Sequence, residues 1–232
     1  TTNNLVPEGQ NTLASTQFTF TWDYRDRAFN PRKGMLLTVT NEYARTLNEK
    51  PQDIGSGENM KTVLFQSNMA RFMVNFAFYI PLAPKLTFAS QWRYGRIVHL
   101  RKNSQSYPNR RFYLGGTNFR GFNQNQMIPQ DLEDANFDAS NVVSRGGETF
   151  LAGQNELRFP LIGDLYGGLF ADVGNLWANP SALDVRQLEL VVGAGLRFQT
   201  PVASLAFDYG VRALEFAPFD VRGAFQFAFQ TF

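Results

Sequence analysis

Pro201-Val-Ala-Ser-Leu-Ala-Phe-Asp-Tyr-Gly-Val-Arg212 alternates without a break. Ala203, Leu205, Phe207, Tyr209 and Val211 fall on one face, and Val202, Ser204, Ala206, Asp208, Gly210 and Arg212 on the other. A period of two is the signature of a strand with unlike environments on its two sides. Upstream, residues 187–199 repeat the pattern, with Leu188, Leu190, Val192, Ala194, Leu196 and Phe198 opposing Glu189, Gly193, Gly195, Arg197 and Gln199. In 150–159, Leu157 and Phe159 oppose Glu156 and Arg158. The stretches 15–25, 35–44, 63–80, 86–97, 164–177 and 221–230 behave alike. The chain thus reads as all-β, with about nine antiparallel strands.

A soluble sandwich also alternates, but with shorter strands and its polar face outward. Here many strands reach about 10 residues, the length that crosses a bilayer at a tilt. The apolar face is rich in Phe, Leu, Val and Ala, and the other carries Glu, Arg, Asp, Gln and many glycines. This is the pattern of a transmembrane β-barrel with lipid outside and a polar lumen inside. Trp22, Tyr24, Tyr79, Trp92, Tyr94, Trp177 and Tyr209 stand where interfacial aromatic girdles are expected. Composition excludes other classes. The 232 residues carry a formal charge of +2, no Cys and one His (His99). There is no basic excess for nucleic acid, no disulfide, no Cys-based metal site or nucleophile, and no HExxH zinc motif. No run approaches the roughly 18 apolar residues of a spanning helix. Seventeen Arg against five Lys fits charge held in paired, enclosed positions. The start at Thr1, without Met or a leader pattern, reads as a processed or trimmed product.

Connector lengths set orientation. Arg25–Lys33, Pro81–Lys85, Pro160–Asp164 and Thr200–Pro201 are short. Arg45–Thr62, Val98–Glu148, Ala178–Arg186 and Ala213–Asp220 are long, and the two kinds alternate strictly. Outer-membrane barrels place short turns in the periplasm and long loops outside. Phe232 is then periplasmic and Thr1 lies on the outer face. Because complete single-chain barrels usually have an even strand number, this parity predicts an upstream segment with an odd number of further strands.

Two motifs suggest a working part. Arg111-Phe-Tyr-Leu-Gly-Gly-Thr-Asn-Phe-Arg-Gly-Phe122 sits in the longest loop. Gly115 and Gly116 permit a tight backbone path. Arg120, Gly121 and Phe122 form its tip, and its aromatic content predicts a loop, 98–148, that folds back into the lumen and docks by its Arg. In Phe170-Ala-Asp-Val-Gly-Asn-Leu-Trp177, alternation turns Phe170, Asp172 and Gly174 inward. Asp172 offers a bidentate partner to Arg120, with Glu189 as a second candidate.

These stretches resemble the outer membrane protein assembly superfamily, which includes BamA, TamA, two-partner-secretion transporters and chloroplast Toc channels. Gly115-Gly-Thr-Asn-Phe-Arg-Gly-Phe122 is similar to its loop motif, with Asn118 and Phe119 where a small residue and Val or Leu are usual. Phe170–Trp177 is similar to its F-x-D-x-G strand. Asn155-Glu-Leu-Arg-Phe-Pro160, Gly193–Pro201 with Asp208-Tyr-Gly210, and the Asp23–Gly34 hairpin match further motifs in order. The resemblance implies the last nine strands of a sixteen-stranded barrel spanning 1–232, with upstream strands and periplasmic POTRA modules. It also implies a terminal signal at Phe225, Phe227, Phe229 and Phe232. Phe232 is out of phase with the other three, which predicts a bend or bulge there.

The implied role is non-catalytic insertion or translocation of client outer-membrane or secreted proteins at a lateral seam in a Gram-negative outer membrane. Accessory periplasmic or lipoprotein subunits are implied partners, and no cofactor is expected. The alternative is a two-partner secretion pore, or the anchoring barrel of a fused patatin-like enzyme, although no G-x-S-x-G occurs in the chain. Two other features read as ordinary loop chemistry. His99 is expected to be solvated. The acidic run Asp131, Glu133, Asp134 and Asp138 lacks EF-hand spacing.

Overall fold

The structure is a computed structural model that describes residues 12–48, 51–54, 61–64, 66–133, 146–199, 204–213 and 223–229. Among these, nine strands form one antiparallel sheet in strict sequence order. They are β1 (Leu13–Asp23), β2 (Gly34–Thr46), β5 (Asn68–Ala83), β6 (Leu86–His99), β7 (Thr149–Ile162), β8 (Leu165–Trp177), β9 (Glu189–Gln199), β10 (Ser204–Arg212) and β11 (Gly223–Phe229). A second, two-stranded sheet, β3 (Pro51–Ile54) with β4 (Lys61–Leu64), occupies the connection between β2 and β5. The expected strand 63–80 therefore begins later, at Asn68, and its first residues belong to this separate hairpin.

The connections after β2, β6, β8 and β10 lie at one end of the sheet and those after β1, β5, β7 and β9 at the other. The expected strict alternation of lengths fails at β1, whose connection to Gly34 is about as long as those after β8 and β10, while those after β5, β7 and β9 are short. Pro84-Lys85 and Gly163-Asp164 close two of the tight turns. Register shifts at Pro81/Ala83 and Pro160/Ile162 stand beside them. Proline cannot donate to a ladder and is tolerated at such bulges. β11 keeps unbroken register with β10 from Val211↔Gly223 to Leu205↔Phe229. No bulge occurs within these residues, and Phe232 lies outside the described ones. β1 and β11 stand at the two edges of the sheet, which is not closed among the described residues.

The faces divide as the alternation requires. Phe18, Phe20, Trp22, Leu169, Leu196, Phe198, Phe207, Phe225 and Phe227 are exposed on one. Glu42, Gln154, Glu156, Arg158, Asp172, Arg197, Asp208 and Gln226 are buried on the other. Two expected girdle residues are buried. Tyr79 turns to the polar face and packs with Ala77, Ala89 and Leu36. Trp177 is wholly buried at the end of β8, where the short helix α1 (Gln130–Glu133) lies against the strand. The polar face also holds an apolar cluster. Ala44, Met69, Ile97, Phe150, Ala152, Phe170, Leu176 and Val191 from the strands pack with Phe112, Leu114, Phe119, Phe122 and Met127 from the long loop. That loop lies on the sheet, and its own side chains complete the core.

Candidate functional site

The loop between β6 and β7 crosses the polar face from β2 to β11. It is first tied at Arg110, whose Nη1 hydrogen-bonds Glu42 on β2. Arg71 on β5 lies 3.7 Å from the same carboxylate and 4.5 Å above the Phe112 ring. Phe112 and Gly147 exchange two backbone hydrogen bonds of 2.8 Å, which cinch the segment. The chain then reverses at Gly115 and Gly116, both at positive φ (122° and 74°). The Gly115 N–H donates to Asn118 Oδ1 at 2.8 Å, and the Gly116 N–H to the Phe122 carbonyl at 2.8 Å. Asn118 Nδ2 donates to the Tyr113 carbonyl at 3.0 Å. Asn118, the departure from the resembled motif, thus closes the turn with both ends of its amide.

The reversal aims Arg120 at the wall. Its Nε and Nη2 grip Asp172 Oδ2 and Oδ1 at 2.9 and 2.6 Å, and its backbone N–H adds a third bond to Oδ2 at 3.1 Å. Nη1 reaches Glu156 Oε2 at 2.7 Å and lies 3.9 Å from Asp208. The guanidinium also stacks 3.7 Å from the centre of the Phe170 ring. Glu156 is shared further. Arg197 Nη2 meets its Oε2 at 2.7 Å and Arg158 Nε its Oε1 at 3.1 Å. Arg197 Nη1 also holds Asp208 at 2.7 Å. Three arginines therefore face three carboxylates, all buried. A buried charge is tolerated when it is paired and hydrogen-bonded, so balance and geometry together let the cluster stay buried and fix its arrangement. Glycines make the room. A Cβ on Gly168 would stand 2.9 Å from Glu156 Oε1, and one on Gly174 would stand 3.1 Å from the Phe119 ring.

Glu189, the second candidate partner, pairs in register with Gly174, two residues beyond Asp172 along β8. The carboxylates that hold Arg120 are Asp172, Glu156 and Asp208. Reading strand faces did not reveal the shared role of Glu156, because alternation reports which way a residue points and not which neighbours reach it. Gln226 on β11 was also missed. Its Nε2 donates to the Phe122 carbonyl at 3.1 Å, and its Oε1 accepts from the Gly121 N–H at 3.4 Å. Arg93 on β6 donates to the Asn118 carbonyl and to Gln154 Oε1. Arg212 stacks 3.8 Å from the centre of the Phe122 ring.

Two loop expectations change. His99 is held by partners, with Nδ1 at 3.1 Å from Ser104 Oγ and Nε2 at 3.0 Å from Glu148. Burial raises the Glu148 carboxyl, but hydrogen bonds from His99 and Ser106 lower it more, leaving it below its ordinary range. Asp131 accepts from the Ala178 and Asn179 N–H groups at 2.7 and 2.8 Å, which ties α1 to the end of β8. Asp134 and Asp138 lie outside the described residues. Among the described residues, no cluster of His, Asp or Glu could hold a metal ion.

Gly121 gives a direct test of the docking geometry. Its φ is +80°, and a Cβ there would stand 2.6 Å from Val191 Cγ1. A left-handed non-glycine residue costs about 1–2 kcal/mol before any contact is counted. Gly121→Ala is therefore expected to weaken docking about tenfold, read as faster proteolysis of residues 111–127. Adding Val191→Ala should recover only the contact part. Wild-type protease resistance in Gly121→Ala would disprove this placement.

No curated protein matches the chain. The crystal structure of BamA from Haemophilus ducreyi lacking POTRA domains 1–3 superposes with a TM-score of 0.66 at 19% identity, over 94% of this chain. The chain spans 42% of the length of that structure. The likeness shows a shared fold, an antiparallel sheet matching a BamA barrel. The Omp85 superfamily domain matches residues 3–231, and with nearly the whole chain inside that match, the chain belongs to the Omp85 superfamily.

Proposed function

We propose that this chain forms the C-terminal strands of an outer-membrane barrel of the BamA/TamA kind, which inserts or translocates other proteins without catalysing a covalent step. The observation that carries this reading is the buried, bidentate grip of Asp172 on Arg120 within a charge-balanced cluster. A passive diffusion pore has no need to fix one loop conformation with so much buried charge. A machine that must hold one barrel state until a client arrives does, and buried polar networks serve such specificity better than they serve stability.

In this reading the polar face lines the lumen of a sixteen-stranded barrel completed by upstream strands. The loop 98–148 is a latch within it, and POTRA modules and accessory subunits present clients from the periplasm. Clients pair with the β11 edge by strand addition when the seam between β11 and the first upstream strand opens, because the backbone N–H and C=O groups freed there offer a template. Phe225, Phe227 and Phe229 mark that edge for the bilayer.

The test uses the full-length protein in lipid vesicles. A urea-unfolded outer-membrane client is expected to fold into these vesicles at least tenfold faster than into empty ones. If client folding is no faster, while the vesicles conduct ions or release secreted substrate, the barrel is a secretion pore.

A further inference from the structure

Among the strands, β11 meets the loop in a singular way. Its described inner-face residues are Ala224, Gln226 and Ala228, so one long polar side chain stands between two methyl groups. That side chain uses its amide as both donor and acceptor on two consecutive loop residues, Gly121 and Phe122. The approach is close because β10 presents Gly210 there. A Cβ on Gly210 would stand 2.9 Å from the Gly121 nitrogen. Outside, β11 is held by ring pairs, Phe207 with Phe227 at 4.7 Å and Tyr209 with Phe225 at 4.4 Å between centroids. The rung partner of Gln226 is Asp208, which itself belongs to the Arg120 cluster.

We propose that Gln226 is a positioning residue that transmits the docked state of the loop to the terminal strand, fixing where the β11 edge stands for an incoming client strand. Arg120 touches no residue of β11 among its described partners, yet it sets the position of the two backbone groups that Gln226 reads. When the loop leaves, the Gln226 amide loses both partners, and among the described residues β11 keeps its ladder to β10 and its outer ring pairs. The two hydrogen bonds that tied β11 to the loop are then exchanged for water, so β11 loosens as the loop does. The coupling is reciprocal: freeing β11 also weakens loop docking. This inference rests on the assembly reading only for what the β11 edge is used for.

The experiment is amide hydrogen exchange, read by mass spectrometry on the full-length protein in bilayer discs. The comparison is wild type, Arg120→Ala, Gln226→Ala, Gln226→Glu and the Arg120→Ala/Gln226→Ala double variant. Arg120→Ala is expected to speed exchange of residues 223–229 by roughly ten- to thirtyfold, the worth of the two hydrogen bonds that Gln226 loses. Gln226→Ala should do the same and also speed exchange of 111–127, while β6–β7 peptides stay unchanged. The double variant should exceed neither single in 223–229. Gln226→Glu keeps the acceptor for Gly121 but sets a carboxylate against the Phe122 carbonyl, so it should behave as Gln226→Ala.

Arg120→Ala that frees the loop with no change in 223–229 would overturn the inference. Log-additive effects, or exchange rising across the whole sheet, would also overturn it. Client folding on the same samples separates the two readings. Unaccelerated folding by wild type defeats the assembly role with the coupling intact. Accelerated folding with β11 uncoupled defeats Gln226 alone.

Discussion

Arg120→Ala is expected to leave the sheet folded, open residues 111–127 to protease by at least a hundredfold, and reduce client folding to near the rate of empty vesicles. Two sets of interactions hold the loop, and they differ in kind. Phe112, Phe119 and Phe122 are buried on the wall, and each contributes about 1.5–3 kcal/mol of apolar burial. That attraction is non-directional and survives the substitution. Arg120 supplies the direction, through four side-chain hydrogen-bond and ion-pair contacts to Asp172, Glu156 and Asp208 plus a ring face. Removing one partner of a buried pair costs about 3–5 kcal/mol, because Asp172 is left without its cation and the cluster carries one uncompensated negative charge. The loop then keeps its apolar contact but loses its single orientation. Arg120→Lys should fail almost as badly, since an ammonium cannot span the fork that meets Asp172 on two oxygens and Glu156 on a third. Wild-type protease protection and client folding in Arg120→Ala would refute the latch.

The strands were legible because lipid and polar interior impose opposite demands on alternate residues, so period two is written along each strand. Connector lengths were legible only in part: the tight turns after β5 and β7 and the long loop after β6 stand out, but the β1–β2 connection is about as long as those after β8 and β10. What periodicity does not carry is register across strands distant in sequence. Glu156 and Arg197 lie 41 residues apart, and only the ladders β7–β8 and β8–β9 bring them together. A partial signal was present in the glycines of β8, β9 and β10, which are wasteful on a filled wall unless large side chains need the space. Gln226 was hidden in a Phe-rich strand, where the aromatic pattern drew the reading outward to the bilayer. Tyr79 and Trp177 show the same limit, because aromatic character alone does not say which face, or which covering loop, a residue meets. The β3–β4 hairpin was missed because its second strand abuts β5 and extends the same alternating run.

Glu156→Ala is expected to be the most damaging single change to the folded barrel. Glu156 is fully buried and accepts from Arg120, Arg158 and Arg197 at 2.7, 3.1 and 2.7 Å. Its loss leaves three guanidinium groups facing two carboxylates, with one positive charge uncompensated in a dry cluster. The cost is again about 3–5 kcal/mol, but relief is harder than in Arg120→Ala. Arg120 sits on a loop that can withdraw and let water in, whereas Arg158 and Arg197 are fixed to β7 and β9. The strain therefore falls on the sheet itself. The expected reading is a fall of several degrees in the temperature at which the detergent-extracted full-length barrel loses its folded gel mobility, together with loop opening as in Arg120→Ala. Glu156→Gln keeps an oxygen acceptor without the charge and should lie between the two. Glu189→Ala should leave both measurements near wild type, because Glu189 stands outside the three-carboxylate set around Arg120. If Glu156→Ala unfolds at the wild-type temperature with the loop still protected, then Asp172 and Asp208 alone carry the cluster, and the shared carboxylate is a passive neighbour.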